Sequence, residues 1–321
     1  MEGNKLIRVV DANIEHMVNM SLLYIVQLGT KHDVFKLVSE RPSYPELLAR
    51  MGAQNKALLK KFLDKLIKLK IVEETPIDLT LNGFSYEIRV PSEDYKLLLS
   101  DWMPEFEEIY RMVDFALITP EHPHVLMDFD KDADFWDMRM RTAFASAYRK
   151  LIVALGEIKN GTEVLDIGCG SVSPVEIGRY ASPDGYYLGI DYSPALLEIA
   201  RSRVESLNLE NVKLKEIDAH IIKPHNSYDV AIMSFVLEYL KNPRTVLKRT
   251  LESLGSGGRL IVVEPFRDQF ANISALEFFE GLNKDFVEFP SREEVKSFVL
   301  EEGFDVNFED VGKSTLVIKK L

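Results

Sequence analysis

Three acids are spaced along this chain as a nucleotide-like ligand would need them. Asp166 lies in "VLDIGCG" (164–170), Asp191 closes "LGID" (188–191) and Asp218 lies in "EIDAH" (216–220). Each follows a run that reads as a strand and sits near that strand's carboxyl end, the edge along which open α/β sheets bind ligands. Gly168 and Gly170 form a G-x-G turn directly after the first of these strands. A dinucleotide fingerprint asks for a third glycine, so that a helix N-terminus can approach a pyrophosphate; here Ser173-Pro174 stands in its place. Asp166 would repel a pyrophosphate and attract an amino group. Asp191 is placed to accept from two ribose hydroxyls, and Asp218 to take the exocyclic amine of an adenine. One molecule that carries an amine, a ribose and an adenine is S-adenosylmethionine, and the pattern favours it over NAD.

These acids need a sheet to hold them side by side. From residue 160 onward strands alternate with helices: "EVLDI", "YYLGI", "VKLKEI", "YDVAIMS" and "GRLIVVEP" are separated by helical stretches. Ser193-Pro194 is an N-cap followed by an N1 proline, and Ser291 with Glu294 forms a capping box. "FDVNFEDV" and "STLVIKKL" follow one another with no helix between them, so they form an antiparallel edge. The expected fold class is α/β: a Rossmann-like, mostly parallel seven-stranded sheet with an antiparallel last strand.

The first part differs. "IEHMVNMSLLYIVQLGT" carries Ile14, Met17, Val18, Leu22 and Ile25 at helical spacing, and "NKALLKKFLDKLIKLK" carries Leu59, Phe62, Leu63, Leu66 and Leu69 as one apolar stripe. "IDLTLNGFSYEIRVP" reads as a hairpin turning at Asn82-Gly83. Helices followed by a hairpin give the order of a winged helix. The expected divisions are 1–118, a mainly α winged-helix domain; 119–159, a helical connector with one long helix from Trp136; and 160–321, the ligand-binding domain.

Residues 160–321 resemble a class I S-adenosylmethionine-dependent methyltransferase, through "VLDIGCG", "LGIDYSP", "IDAH", "YDVAIMSFVLEYL" and "LGSGGRLIVVEP" in order. The resemblance implies that Asp166 and the turn Gly168-Cys169-Gly170 hold the methionine end of S-adenosyl-L-methionine. It places Asp191 at the ribose, Tyr192 beside the adenine, Asp218 and Ala219 flanking it, and Ser234 at the fourth strand end. With its N-terminal half, the chain is similar to the two-domain small-molecule O-methyltransferases, whose N-terminal domain dimerises and closes over the substrate. That implies a homodimer through residues 1–118 and O-methylation of a small-molecule acceptor. Those enzymes often carry His-Asp-Trp after the fourth strand, with the His as general base. The matching stretch here is "VLEYLKNP", with Glu238 in the place of that His. A carboxylate can act as a base, which makes Glu238 the candidate catalytic residue.

The remaining features set limits. A formal net charge of −12 repels phosphate backbones, which argues against nucleic acid. The six lysines between Lys56 and Lys70 keep a second possibility open, a DNA-binding regulator that senses S-adenosylmethionine. A NAD-linked oxidoreductase is a third, disfavoured by Asp166 and Ser173. The one cysteine, Cys169, allows no internal disulfide and suits a reducing, cytoplasmic setting. The chain shows no membrane span. "DFDKDADFWD" (128–137) starts like a calcium loop but has Ala133 and Arg139 where Gly and Glu are required. His122 and His124 lack a third ligand, so no metal is expected. Aromatic residues Trp136, Phe144, Tyr148, Phe266, Phe270, Phe278, Phe279, Phe286 and Phe289 mark the acceptor side, and their convergence would suit an apolar or aromatic acceptor.

Overall fold

The structure, a computed structural model, describes residues 2–52, 54–85, 97–123, 125–225 and 227–321. Helix α1 (Glu2–Lys31) opens the chain. It buries the expected stripe of Ile14, Met17, Val18, Leu22 and Ile25, and Val9 and Val10 extend that stripe toward the N-terminus. Short helices α2 (Val34–Val38) and α3 (Tyr44–Arg50) follow; α3 starts in a complete capping box between Ser43 and Glu46. Helix α4 (Lys56–Lys68) is capped by the Asn55 side chain and buries Leu58, Leu59, Phe62, Leu63 and Leu66.

Strands β1 (Val72–Glu74) and β2 (Leu79–Leu81) pair antiparallel. Strand β2 is the first arm of the expected hairpin, and it also pairs back onto β1 through a turn between Glu74 and Leu79. Asn82 prolongs this ribbon. Its backbone N–H donates to the Ile71 carbonyl at 3.0 Å, and its side-chain amide to the Lys70 carbonyl at 3.2 Å. Most of the second arm of the expected hairpin lies in 86–96, outside the described residues.

Helix α5 (Met103–Ile118) precedes the connector. The single helix expected from Trp136 is two, α6 (Ala133–Met140) and α7 (Ala143–Gly156). Thr142 makes the break: it adopts extended backbone and its hydroxyl accepts from Ala145 N, an N-cap inside what reads as one helical run.

The second half holds the seven-stranded sheet. Strand β3 (Glu163–Ile167) leads through the glycine turn to α8 (Ser173–Glu176) and α9 (Gly178–Ala181), two short turns where one helix was expected. Then come β4 (Tyr186–Asp191), α10 (Pro194–Ser206), β5 (Val212–Glu216), β6 (Tyr228–Ser234), α11 (Pro243–Ser253) and β7 (Leu254–Val263). Helices α12 (Ser274–Glu280) and α13 (Arg292–Glu301) precede β8 (Val306–Val311) and β9 (Thr315–Lys320). The spatial order is β5-β4-β3-β6-β7-β9-β8. The first five strands are parallel, and β9 runs antiparallel to both of its neighbours. This is the expected mostly parallel sheet with its antiparallel terminal pair. At α13 only half of the expected capping box forms: Ser291 Oγ accepts from Glu294 N, while the Glu294 carboxylate pairs with Arg267.

Strand residues alternate between two cores, as a pleated sheet requires. Leu165, Leu260 and Val262 face α11 and α13. Val164, Ile232 and Ile261 face a larger core that continues without interruption into α1, α4, α5, α7 and α12. The basic helix joins in this contact. Lys65 and Lys68 both pair with Glu277 of α12, at 2.8 and 2.9 Å, and Lys61 donates to the Gly281 carbonyl at 3.2 Å. Three of the six lysines thus serve an internal docking, and nothing in their arrangement favours the DNA-reading alternative.

Candidate active site

The parallel pairing sets the ends of β5, β4, β3 and β6 in a row, so that Asp218, Asp191, the glycine turn and Ser234 follow one another along one edge. The turn is laced to β4. Gly168 N and Cys169 N both donate to the Ile190 carbonyl, at 2.8 and 3.0 Å, and Gly170 N donates to Asp191 Oδ2 at 2.9 Å. Asp191 Oδ1 accepts from Ser193 N at 2.9 Å. Asp191 is therefore the strut between the glycine turn and the start of α10, a task its sequence position did not disclose. Gly168 and Gly170 have φ of 68° and 57°, and a Cβ on Gly168 would lie 2.6 Å from Val236 Cγ2.

Asp166 is buried beneath this turn. Its Oδ2 accepts from the Tyr187 hydroxyl at 2.5 Å, and its Oδ1 has no hydrogen-bond partner. Burial raises its pKa to about 7, against the pull of Tyr187, and the nearby Asp191 adds to the rise. Cys169 is buried and its thiol is pushed well up by burial, which makes it a small filler of the turn. Farther along the edge, Tyr192 is exposed and its hydroxyl donates to Asp285 at 2.7 Å. Asp218 accepts from His220 N at 2.8 Å and contacts the His220 ring at 2.7 Å, capping the 3-10 turn Ala219–Ile221.

A cavity, partly open to solvent, begins at the glycine turn. Gly168, Cys169, Gly170, Ser234 and Glu238 lie on its wall; Asp166, Asp191, Tyr192, Asp218 and Ala219 do not. Of the expected acceptor-side aromatics, Trp136, Phe144, Tyr148 and Phe289 line it. Phe266, Phe270, Phe278, Phe279 and Phe286 do not; the first four are core residues and Phe286 packs half-buried against the core, with Phe278 and Phe279 packed on Phe62 and Phe106. The N-terminal half closes the cavity with Ile14, Met17 and Trp102.

Several wall residues escaped the sequence reading. Phe235 has φ of 51°, a conformation bulky residues rarely take, and its ring meets Tyr148 at 4.9 Å. Arg139 donates to Glu280 through its two terminal guanidinium nitrogens and lies 5.1 Å over the Trp136 ring. Arg149 is almost fully buried and donates to Glu176 and to the Met140 carbonyl, both at 2.8 Å. Met140 itself lies against the turn, its sulfur 3.4 Å from Ser171 N. Glu238 is buried beside Glu264, which follows β7; Glu264 Oε1 accepts from Val236 N and Leu237 N, both at 3.0 Å. Only the "VVEP" placement of Glu264 at a strand end offered a signal for any of these.

The acids at 128–134 serve the connector. Asp128 Oδ1 accepts from Asp130 N at 2.8 Å, Lys284 pairs with Asp128 at 2.6 Å, and Asp130 binds Ser193 Oγ at 2.6 Å. Among the described residues no three His, Cys, Asp or Glu side chains converge as a metal site requires; His124 lies outside them. No described helix is long and apolar enough to cross a membrane.

The residues present fit S-adenosylmethionine. The glycine turn opens onto the cavity with Gly168, Cys169 and Gly170 on its wall, and Asp166 Oδ1 is a buried acceptor without a donor. A family model described as "Methyltransferase domain" matches residues 158–296. An uncharacterized protein of Methanocaldococcus jannaschii is 28% identical across 99% of this chain and 87% of that protein. A demethylmenaquinone methyltransferase of Listeria welshimeri is 29% identical over 119 residues, 36% of this chain and 50% of that enzyme. The crystal structure of the CurJ carbon methyltransferase aligns with 98% of this chain and 91% of its own, at a TM-score of 0.62 and 17% identity, a likeness of fold.

Proposed function

We propose that this chain, whose residues 158–296 match a methyltransferase domain, is a class I S-adenosylmethionine-dependent methyltransferase that methylates a small, apolar or aromatic acceptor at an oxygen. The observation that carries this reading is the aromatic cavity that begins at the glycine turn, with Trp136, Phe144, Tyr148 and Tyr239 on its wall. Such a wall suits a flat apolar ring and offers little to a highly charged substrate. The demethylmenaquinone methyltransferase among its relatives supports an apolar ring as acceptor.

S-adenosylmethionine supplies an electrophilic methyl on a sulfonium. The protein's work is to position, shield and manage a proton. Asp166 and the Gly168-Cys169-Gly170 turn hold the methionine end, Asp191 and Tyr192 the ribose and its adenine side, Asp218 and Ala219 the adenine, and Ser234 the strand end nearest the acceptor. The aromatic wall keeps water from the acceptor. Glu238 is the group on that wall placed to handle an acceptor proton. Residues 1–118 act as a winged-helix-type cover and as the contact for a homodimer in the cytoplasm.

The test is transfer of labelled methyl from S-adenosylmethionine to a panel of phenols, hydroquinones, amines and thiols, with product analysis. Labelled methyl ethers support the reading. Label found only on nitrogen or sulfur overturns it. Light scattering that shows a monomer at working concentration overturns the dimer.

A further inference from the structure

We propose that Glu238 and Glu264 form a two-carboxyl proton relay, with Glu238 facing the acceptor and Glu264 as the final proton acceptor. This rests on the reading that the acceptor reacts through an O–H group. The geometry comes first. Glu238 lies in the 3-10 turn Leu237–Tyr239 and lines the cavity, whereas Glu264 does not line it. Both are buried, with 2% and 0% exposure, they lie beside one another, and each keeps a buried Oε2 that no donor of the protein satisfies. Two neighbouring buried carboxyls with such oxygens do not both stay charged; one proton between them satisfies both. Glu264 Oε1 also takes two backbone N–H groups, from Val236 and Leu237, which favour its charged form. The shared proton therefore belongs to Glu238, and the negative charge to Glu264.

Three other groups face the pair. Glu280 and Arg139 neutralise one another, and Tyr239 is a buried phenol held neutral by burial and by Glu280. The pair thus carries one net negative charge and can take up one further proton. Burial holds Glu264 at about 7, close to the working pH of a general base.

The step balances without another reactant. The acceptor's O–H bond breaks as its O–C bond forms and the sulfonium C–S bond breaks. The released proton goes to Glu238, and the proton Glu238 already held moves to Glu264. The pair ends neutral, and water outside the cavity later receives the proton. A lone buried glutamate that was already protonated could not act as a base; the second carboxyl makes it one.

The probe is 4-nitrophenol, added to protein saturated with S-adenosylhomocysteine, with its phenolate absorbance as readout. In the wild type the bound probe ionises, because the pair accepts its proton. Glu264→Gln keeps an oxygen for the two backbone N–H groups, and S-adenosylhomocysteine binding serves as the folding control. The phenolate band is lost in Glu264→Gln and in Glu238→Gln. Turnover of any phenol found as acceptor falls about 100-fold in each single variant and no further in the double variant. An unchanged phenolate band in Glu264→Gln overturns the relay. Infrared spectra keep the two proposals apart. A buried protonated carboxyl band at about pH 9, where Asp166 is ionised, that is lost from the double variant supports the shared proton, and its absence from the wild type overturns the relay. A wild type that shows this band but binds neither 4-nitrophenol nor any other phenol overturns the acceptor reading, and the relay's catalytic role with it.

Discussion

Tyr187 of β4 donates its hydroxyl to Asp166 of β3 at 2.5 Å, and this contact is closed off from water beneath the glycine turn. Tyr187 uses one carboxylate oxygen and leaves the other for a donor that the protein does not itself supply. Under the proposed assignment, the ligand's ammonium group would be the donor that completes it.

Because Asp166 is held at about 7, the free protein carries a proton there under mildly acidic conditions. The ammonium needs the ionised form, so ligand binding must expel that proton. S-adenosylhomocysteine affinity is expected to rise about tenfold per pH unit below pH 7 and to level off above it. Asp166→Asn should bind weakly and flatten the profile. Calorimetry in two buffers of different ionisation heat reads the proton directly, and a flat wild-type profile would refute the assignment. The same shift has a consequence for stability. Protonation of Asp166 favours the folded state, so its contribution is complete at low pH and fades as pH rises through about 7.

The two turn glycines differ in what surrounds them. A Cβ on Gly168 meets Val236 Cγ2 at 2.6 Å, and Val236 is β-branched and stiff. A Cβ on Gly170 meets Met140 Sδ at 2.6 Å, the far end of a flexible side chain that can turn aside. Both positions also strain an alanine through positive φ, by about 1–2 kcal/mol. Gly168→Ala should therefore lose more stability and more ligand affinity than Gly170→Ala, as read by denaturant unfolding and calorimetry. Equal losses would show that the flanking side chains do not matter.

Asp191→Ala removes the acceptor for both Gly170 N and Ser193 N. Two buried backbone donors are left unpaired, at an expected cost of about 2–4 kcal/mol in unfolding free energy. S-adenosylhomocysteine affinity should fall as well, since the turn loses its strut. An affinity loss with unchanged stability would instead assign Asp191 to the ribose alone.

Glu277 ties α12 to α4 through Lys65 and Lys68. Burial works to raise its pKa, but the two lysines outweigh it and hold the carboxyl below its ordinary range. Its stabilising contribution is thus present above the unfolded-state value and lost as pH falls through the folded one. Glu277→Gln should destabilise by about 2 kcal/mol, with the loss vanishing in acid. A pH-independent loss would point to packing alone.

The catalytic half was largely legible in the sequence because its signals are local and repeated. "EVLDI" is strand β3 from end to end, Ser193-Pro194 starts α10 as its cap chemistry demands, and the acids fall at strand ends. What stayed hidden depends on distant partners. Nothing within "MRMRTAF" says that Thr142 will stop one helix and begin another, because its neighbours all favour helix. Arg139 and Glu280 are 141 positions apart, and Glu238 and Glu264 meet only because β6 and β7 are neighbours. Aromatic residues near one another in sequence split between cavity wall and core according to which helix face they occupy.

Asp11, on the first helix, accepts from Ser314 N at 2.9 Å and Ser314 Oγ at 2.6 Å, across 303 positions of sequence. Lys313 N adds a third hydrogen bond at 2.8 Å. During synthesis, α1 leaves the ribosome long before the β8–β9 turn that satisfies it. Its apolar stripe must wait, exposed, for the rest of the chain. A helix made before every other element of this fold is thus among the last to be secured, and chains stalled before β9 are the ones a chaperone or protease should find first.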